Sequence, residues 1–454
     1  PPPPPPPAAP QRSERGTLAT PPATSETTQR ATLERVISQS VLSNGLEIIV
    51  VENRNVPLAT VEVVVKNGSF TQEPQDEGVA HLFEHMLFRA YTDGTPEGSF
   101  ARAASEITAG FNGTTNEESV TYYATLPSRH LERGVQLLAT LMLRPRFRAE
   151  DLNRERQVVL GEYDRQVANP FYHLRARSGR ALWGSAWSRK NTLGSREAIN
   201  AATVERLETI FKRYYVPNNS ALVITGDVDA GQVFALAEKH FGPWSRGADP
   251  FVEFPVPPVP TLARDTTVIV EADTRDVVVM LQWHGPSVGR DPAATYAADV
   301  FSDVLNAPTS EFQKKLVDSG LFQSLGVNYY TLDHVGPITI LGETTPERAR
   351  EALRALYAEL ARLGDPAYFS AQALADSKQE RKVGTAFGLE RGTGFAHTIA
   401  FWWSVADLEY YMGYVDNMAA QTARDLAAYG RTYIVGKPKV IGLMMSPEVA
   451  RGWR

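Results

Sequence analysis

The sequence has no cysteine among its 454 residues, which excludes disulfide bonds and thiolate metal ligands. It has no uninterrupted apolar run that approaches the roughly 20 residues of a membrane-spanning helix. It also has no excess of positive charge, because 46 basic and 52 acidic residues give a net charge of −6. The overall charge therefore does not favour nucleic acid or anionic lipid as a partner. With 43% hydrophobic and 22% charged residues, the composition is that of a folded globular protein.

Two proline-rich stretches divide the chain. The segment that begins PPPPPPPAAPQRSERGTLAT lacks periodic apolar residues, and we predict a disordered tail rich in Pro, Ala, Ser and Thr over residues 1–35. The segment PWSRGADPFVEFPVPPVP contains six prolines and predicts a linker over 244–263. One α+β domain is expected over 36–243 and another over 264–454. The sequence does not begin with Met, and either a removed secretory signal or a shortened sequence would explain this. We therefore expect a periplasmic location, with a cytoplasmic one as the alternative.

The two predicted domains are similar to each other in sequence. The segment NAATVERL at 200–207 aligns with AAQTARDL at 419–426, and the same shift in residue number places Tyr214 on Tyr433. We call this shift the repeat offset. Self-similarity of this kind is the usual sign of a repeated unit. We predict an α+β protein of two homologous-looking α/β-sandwich halves, each a mostly antiparallel sheet covered by helices. Within the first half, the apolar runs 46–51 and 60–65 predict an antiparallel hairpin, and helical patterns occur at about 78–90, 129–143 and 149–167.

The clearest chemical signal is the run His81-Leu82-Phe83-Glu84-His85. Two histidines four residues apart project from the same face of a helix, and two imidazoles at that spacing can bind one metal ion. Glu84 lies beside them and can act as the base that activates the attacking water. The surrounding residues are apolar, so buried histidines next to a buried carboxylate call for a metal or another partner. Two surface histidines on an amphipathic helix are the alternative.

A catalytic zinc site needs a third protein ligand, which in this sequence must be His, Asp or Glu. The helical stretch ERQVVLGE contains Glu155 and Glu162, which are seven residues apart and share one helix face. Either can bind the metal while the other polarises a ligand or the water. Each can also be an ordinary solvated charge.

Several segments together resemble the pitrilysin or insulinase family of inverted zinc-motif (HxxEH) metallopeptidases. The resemblance is to its half-size subfamily, which is related to the subunits of mitochondrial processing peptidase. The matching segments are NGLEIIVVEN, VKNGSFTQEP, GVAHLFEHMLF, FNGTTNEESVTYY, ERQVVLGEY, NTLGS and YYVPNNSALVITGDVD. The resemblance implies one Zn²⁺ per chain held by His81, His85 and Glu162. It also implies Glu84 as catalytic base and Glu155 as supporting carboxylate.

The resemblance further implies that the substrate peptide is added as a strand to an open sheet edge. The matching residues are Phe111, Asn112, Gly113 and Thr114, and Gly113 stands where relatives usually have Ala. Main-chain hydrogen bonds would then hold peptides with many different side chains. A simple turn is the alternative, because Gly-Phe-Asn-Gly is also typical of turns.

The second half departs from the first at the metal-site positions. The repeat offset places Val300, Asp303, Val304 and Arg381 where the first half has His81, Glu84, His85 and Glu162. Full-length relatives supply an Arg and a Tyr, seven residues apart, that stabilise the oxyanion. At these positions the chain has Leu316 and Gln323, and Lys315 is adjacent. This pattern is similar to the zinc-bearing subunit of a bacterial two-subunit enzyme.

We therefore expect a zinc metalloendopeptidase that hydrolyses unfolded peptides inside a chamber. It would be the catalytic subunit of a heterodimer whose half-size partner lacks HxxEH and supplies the Arg/Tyr pair. A self-sufficient homodimer, a non-catalytic scaffold subunit of the same fold, and a metal-binding protein without turnover are the alternatives. Neither nucleic acid nor a membrane is an expected partner.

Overall fold

The protein is described by a computed structural model that covers residues 29–90, 99–108, 110–143, 145–389 and 392–453. It contains two sheets, each with helices packed against it, and this confirms the predicted α+β class. The expected tail lies outside the described residues over 1–28. Over 29–36, however, the chain is helical, because Leu33 is fully buried against the outer face of the first sheet.

The first sheet has six strands in the order β1-β2-β6-β3-β5-β4. Strands β2 and β6 are parallel, and the other neighbours are antiparallel. Strand β6 is buried along its whole length, as expected for the middle of a covered sheet. The bounds are β1 (Ile37–Val41), β2 (Glu47–Glu52), β3 (Leu58–Val65), β4 (Gly110–Thr115), β5 (Val120–Pro127) and β6 (Ser220–Gly226).

The second sheet repeats this topology with five strands in the order β7-β11-β8-β10-β9. Its register agrees with the repeat read from the sequence. Glu47 lies opposite Ala221 in the first sheet and Thr266 opposite Val440 in the second, so both members of the pair are shifted by the repeat offset. The bounds are β7 (Thr266–Glu271), β8 (Val277–His284), β9 (Ser324–Tyr329), β10 (Pro337–Thr344) and β11 (Val440–Met445).

The helices of the two halves also correspond, and Thr203 and Thr422, which the repeat offset aligns, each cap a helix with the side-chain hydroxyl. No helix among the described residues is long and apolar enough to cross a membrane. The helices of the first half are α1 (Gln29–Val36), α2 (Val79–Arg89), α3 (Ser99–Ile107), α4 (Leu131–Leu143), α5 (Ala149–Val167), α6 (Pro170–Trp183), α7 (Arg196–Ala201), α8 (Val204–Tyr214), α9 (Ala230–Phe241) and α10 (Pro250–Glu253). Those of the second half are α11 (Pro292–Asn306), α12 (Glu311–Gln313), α13 (Ala349–Leu360), α14 (Ala371–Leu389), α15 (Gly392–Val405), α16 (Leu408–Met412), α17 (Tyr414–Ala420), α18 (Ala423–Tyr433) and α19 (Pro447–Arg451).

The predicted hairpin between the first two apolar runs is wrong. Strands β2 and β3 do occur at these runs, but they are not neighbours, because β6 inserts between them and pairs with both. A local turn signal cannot reveal a strand that arrives from a distant part of the chain. The predicted linker also contains a short helix, α10, whose first turn is capped by the Asp249 carboxylate.

Each half covers the sheet of the other half with one helix. Helix α6 packs on the second sheet, where Leu174 contacts a cluster that includes Val278 and Met280. Helix α15 packs on the outer face of the first sheet, where Trp403 is buried and donates its indole N–H to Glu47 Oε2 at 3.0 Å. Because both exchanged helices bury apolar surface, the two halves form one continuous structure.

A buried carboxylate also ties α15 to the first sheet. Glu62 on β3 is fully buried, and its Oε2 lies 2.7 Å from His397 Nδ1 on α15. The hydrogen bond to Glu62 raises the pKa of His397, and burial raises the pKa of Glu62.

We predict that this contact weakens as the pH rises. Both groups have raised pKa values in the folded protein, so the folded state binds protons more tightly than the unfolded state. The stabilisation from His397 is complete below the pKa of an unfolded histidine and is lost as the pH rises through the raised folded value. The free energy of unfolding in urea should be measured from pH 5.5 to 8.5 for the parent and for the double variant E62Q/H397Q. The difference between the two proteins should shrink as the pH rises, and a constant difference would contradict the assignment.

Candidate metal centre

Helix α2 carries the HxxEH segment, and its start is fixed by buried polar contacts. Gly78 precedes the helix with a left-handed backbone (φ 93°), and a Cβ there would lie 2.6 Å from Gly194 Cα. The buried Gln72 side chain accepts hydrogen bonds from the backbone N–H groups of Gly78 at 2.9 Å and Ala80 at 3.2 Å. Its amide donates to Ser188 O at 2.8 Å. These contacts set where the first turn of α2 begins and therefore where its side chains lie.

Three donor atoms from α2 and α5 converge at one point. Glu162 Oε2 lies 3.6 Å from His81 Nε2 and 3.6 Å from His85 Nε2. Ligand atoms of a tetrahedral zinc ion, each about 2.1 Å from the metal, lie about 3.4 Å apart. The spacing of the three atoms therefore fits a zinc ion. Among the described residues, this is the one trio of His and carboxylate side chains close enough to share a metal.

The His81 imidazole is held in the neutral form that binds metals. Burial and, to a lesser degree, the neighbouring His85 lower the pKa of His81 to about 4, while Glu162 opposes the shift. A neutral imidazole presents a lone pair to a metal at physiological pH. His81 Nδ1 is buried without a hydrogen-bond partner in the described part of the chain.

Glu155 joins the two helices beside the donor trio. Its buried carboxylate lies 3.3 Å from His85 Nδ1 through Oε2, and it accepts a hydrogen bond from Arg89 Nε at 2.7 Å through Oε1. A carboxylate on the far nitrogen of a ligating histidine fixes the ring orientation and raises its basicity. Glu155 thus lies next to His85 alone, whereas Glu162 lies next to both histidines.

Glu84 lies on the same helix but under strand β4, outside the donor trio. Its Oε2 accepts a hydrogen bond from Thr115 Oγ1 at 2.7 Å. Burial raises the pKa of Glu84, and the Thr115 hydrogen bond partly offsets this. Gly113 leaves the space that Glu84 fills, because a Cβ there would lie 2.8 Å from Glu84 Cγ and 3.0 Å from Phe88 Cε2. The resemblance indicates that relatives usually have alanine at this position. Here the glycine leaves room for the Glu84 side chain.

The segment expected to hold substrate forms the edge strand β4. Phe111 packs against Phe88 and Phe100, with ring centroids 5.7 and 5.6 Å away. Asn112 and Thr114 are exposed on the opposite face. The alternative of a simple turn is wrong, because the segment pairs with β5 through all six residues.

The corresponding edge of the second sheet, strand β9, is closed by side chains. Asn306 Nδ2 donates to Val327 O at 2.7 Å, and Asn306 Oδ1 accepts from Val327 N at 2.8 Å. Gln313 Nε2 donates to Leu325 O at 3.1 Å. Within the described residues, no side chain bonds in this way to the backbone of 111–114. Among the described residues, side chains therefore cover the edge of β9 at Leu325 and Val327 but not the edge of β4 at 111–114.

A cavity of about 1080 Å³ lies between the two halves and includes His81 in its wall. The first half supplies one face of α6 and the segment that follows β4. The second half supplies β9, β10 and part of β8. The charged side chains in its wall include Glu117, Arg175 and Lys190 from the first half and Glu343 from the second.

The second half has an ion pair where the first half has the donor trio. Arg381 on α14 binds Asp303 on α11 through two nitrogens, at 2.7 and 3.0 Å. Val300 and Val304, at the two histidine positions, are buried in the second core. The side chains at these four positions cannot hold zinc.

The residues at the expected Arg and Tyr positions are occupied elsewhere. Leu316 is fully buried, and Gln323 donates to Asp276 Oδ1 at 2.9 Å. Lys315 lies 3.3 Å from a Glu359 oxygen and 3.5 Å from a Glu311 oxygen. None of the three residues lines the cavity.

Sequence reasoning missed three residues that support the site: Gln72, Arg89 and Thr115. Arg89 could have been found, because it follows His81 and His85 by one more step of four on the same helix face. Thr115 lies inside a segment that was recognised, but its hydrogen bond to Glu84 depends on the tertiary placement of β4. Gln72 accepts hydrogen bonds from the first backbone N–H groups of α2, and no local sequence pattern indicates these contacts.

Comparison with known proteins extends these observations. The family model for insulinase (peptidase family M16) matches residues 47–191, and the model for the peptidase M16 inactive domain matches 201–380. An uncharacterized zinc protease of Mycobacterium leprae is 30% identical over 206 residues, which is 45% of this chain and 46% of that protein. The match thus spans about half the length of that relative.

Solved structures share the fold over nearly the whole chain. A protease from Helicobacter pylori has a TM-score of 0.79 at 22% identity and covers 90% of this chain and 99% of its own. The first half of the periplasmic protease PqqL from Escherichia coli has a TM-score of 0.75 at 18% identity and covers 92% and 93%. With both halves of the chain matched by models of one family, the protein belongs to the M16 (insulinase) family of peptidases.

Proposed function

We propose that the protein is a zinc-dependent endopeptidase that cleaves unfolded peptides. The single observation that carries this proposal is the set of three donor atoms of His81, His85 and Glu162 with a buried carboxylate, Glu84, beside them. A scaffold subunit of the same fold would have no need for this combination. The zinc protease name of the M. leprae relative supports the choice of metal.

The residues have distinct chemical roles in the proposed reaction. When bound by His81, His85 and Glu162, zinc would supply positive charge that makes water more acidic and polarises a carbonyl. Glu84 takes the proton from the attacking water and passes it to the leaving amine. Its partner Thr115 holds the carboxylate through a hydrogen bond to Oε2. Glu155 is a positioning residue, because it acts through His85.

The substrate would bind as an added strand on β4. Main-chain hydrogen bonds to an open edge require an extended peptide, which an unfolded segment can provide and a folded domain cannot. The free backbone of 111–114, in contrast to the closed edge of β9, supports this mode. Phe111, Asn112, Gly113 and Thr114 are the proposed substrate-binding residues. The exposed Asn112 and Thr114 side chains would flank the bound strand.

The complete enzyme would be a heterodimer that encloses a chamber. Leu316 has no donor group, the Gln323 amide donates to Asp276, and neither residue lines the cavity, so a second subunit would supply the Arg/Tyr pair. A homodimer is the alternative assembly. A periplasmic location is part of the proposal, supported by the periplasmic protease PqqL, whose first half has the same fold.

We predict one zinc ion per chain, bound through the first half only. In Glu162→Ala the zinc content after dialysis should fall to background, because one of three protein ligands is lost. Glu155→Gln should weaken zinc binding by about 10- to 100-fold. The matched control is Arg381→Gln at the equivalent position of the second half, which should keep zinc. Atomic absorption on the purified variants tests this, and zinc retained by Glu162→Ala would refute the ligand set.

We predict that Glu84→Gln separates metal binding from catalysis. The amide is similar in size to the carboxylate but cannot accept the proton, so peptide cleavage should fall by about 10²–10⁴-fold while zinc content is unchanged. The measurement is cleavage of an unfolded peptide beside metal analysis. Equal cleavage by Glu84→Gln and the parent would remove Glu84 as the base. No cleavage by the parent with its partner would favour the scaffold alternative.

We predict that the chain alone binds zinc but cleaves peptides poorly. Co-expression with a half-size homologue that lacks HxxEH and carries the Arg/Tyr pair should restore activity. Replacing that Arg by Ala in the partner should remove it again, by about 10²–10³-fold for one lost oxyanion contact. Size-exclusion chromatography with light scattering identifies the assembly. Full activity of the isolated chain would contradict the heterodimer.

A further inference from the structure

Two cationic side chains, Lys190 and Arg175, line the cavity between the halves, and they differ in whether their charge is paired. Lys190 is buried and fully engaged: its ammonium forms an ion pair with Glu117, donates to Val335 O at 2.6 Å and lies 4.4 Å from the centre of the Trp183 ring. Its charge is neutralised within the protein. A ligand in the cavity would gain little from it, because binding would first have to displace Glu117.

Arg175 is the other cation that lines the cavity, and its guanidinium forms no ion pair with a carboxylate of the described residues. The side chain is exposed. It projects from α6 between Tyr172 and Gly179, which line the cavity one turn before and one turn after it. An unpaired guanidinium in a concave wall is a recognition group for a carboxylate, which it can bind through two parallel hydrogen bonds.

The opposite wall carries the complementary charge. Glu343 at the end of β10 is exposed, lines the same cavity and forms no ion pair with the described residues. A carboxylate ligand near Glu343 would be repelled, so an acidic group in the cavity would be directed to the wall that carries Arg175. The other polar residues of the second-half wall, such as Gln282, Asn328 and Thr339, are neutral.

We propose that Arg175 gives this site a preference for peptides with an Asp or Glu side chain in the segment that enters the cavity. This inference rests on the proposed function, because it assigns the substrate class of that same site. It makes Arg175 a specificity-determining residue with no part in the bond cleavage itself. The interaction is electrostatic and partly solvent-exposed, so it should weaken as ionic strength increases.

Binding is tested first, in the inactive Glu84→Gln background together with the partner subunit. Fluorescent unfolded peptides that differ only by Asp or Asn at one position, scanned along the sequence, are titrated by anisotropy. At one or two adjacent positions the Asp peptide should bind about tenfold tighter than the Asn peptide, as a charge-assisted hydrogen bond at an exposed site would give. Adding Arg175→Gln should reduce this ratio to about one, and Arg175→Glu should invert the preference toward Lys.

Arg177→Gln is the matched control. Arg177 is an exposed arginine on the same helix that does not line the cavity, so its loss changes the net charge equally. This control should keep the Asp preference. If it reduces the preference as much as Arg175→Gln does, only general charge attraction is involved and the proposal is wrong. Equal binding of Asp and Asn peptides at every position also overturns it.

Cleavage by the active form distinguishes a failure of the Arg175 proposal from a failure of the peptidase proposal. Cleavage of Asp and Asn peptides with equal kcat/KM, together with equal binding, overturns the role of Arg175 and leaves the peptidase proposal intact. Charge-dependent binding that requires Arg175, without cleavage of any peptide, overturns the peptidase proposal and supports the recognition role. An Asp preference of about tenfold in kcat/KM that disappears in Arg175→Gln supports both.

Discussion

The Glu155 carboxylate connects the two helices that carry the donor trio of His81, His85 and Glu162. It contacts His85 and Arg89 on α2, while Glu162 projects from the same helix as Glu155 two turns later. Glu162 Oε2 lies 3.6 Å from the Nε2 atom of each histidine, and a relative shift of α2 and α5 by about 1 Å would disrupt this arrangement. The strongly anchored start of α2 and this buried carboxylate restrict that movement at both ends of the site.

The second half has a helix pair equivalent to α2 and α5 but lacks the three donor side chains. The equivalent helices α11 and α14 are joined by the ion pair between Asp303 and Arg381, which occupy the positions of Glu84 and Glu162. Opposite charges at these positions bind each other directly, so no cation is needed to hold the helices together. The buried valines at the two histidine positions then add apolar contacts to the second core. The two halves thus share their helix packing although their side chains differ at these four positions.

The sequence predicted features that depend on local periodicity or on fixed spacing. Helices α2 and α5, the shared face of Glu155 and Glu162, and the repeat offset between the halves all follow from such patterns. It could not predict that β6 separates β2 from β3, because that pairing joins residues far apart in the chain. The cap by Gln72 and the contact of Thr115 with Glu84 are also tertiary, and no local pattern distinguishes them from other polar residues.

The exchange of helices explains why a half without a metal site is still part of the functional structure. Helix α6 belongs to the first half but packs on the second sheet, and this places one of its faces opposite β9 and β10. The cavity wall opposite α6 is therefore built by the second half. Strand β9 has its own edge closed by Asn306, so it can border the cavity without competing for a peptide strand. The second half thus shapes the cavity, while β4 packs against α2, the helix that carries both histidines of the donor trio.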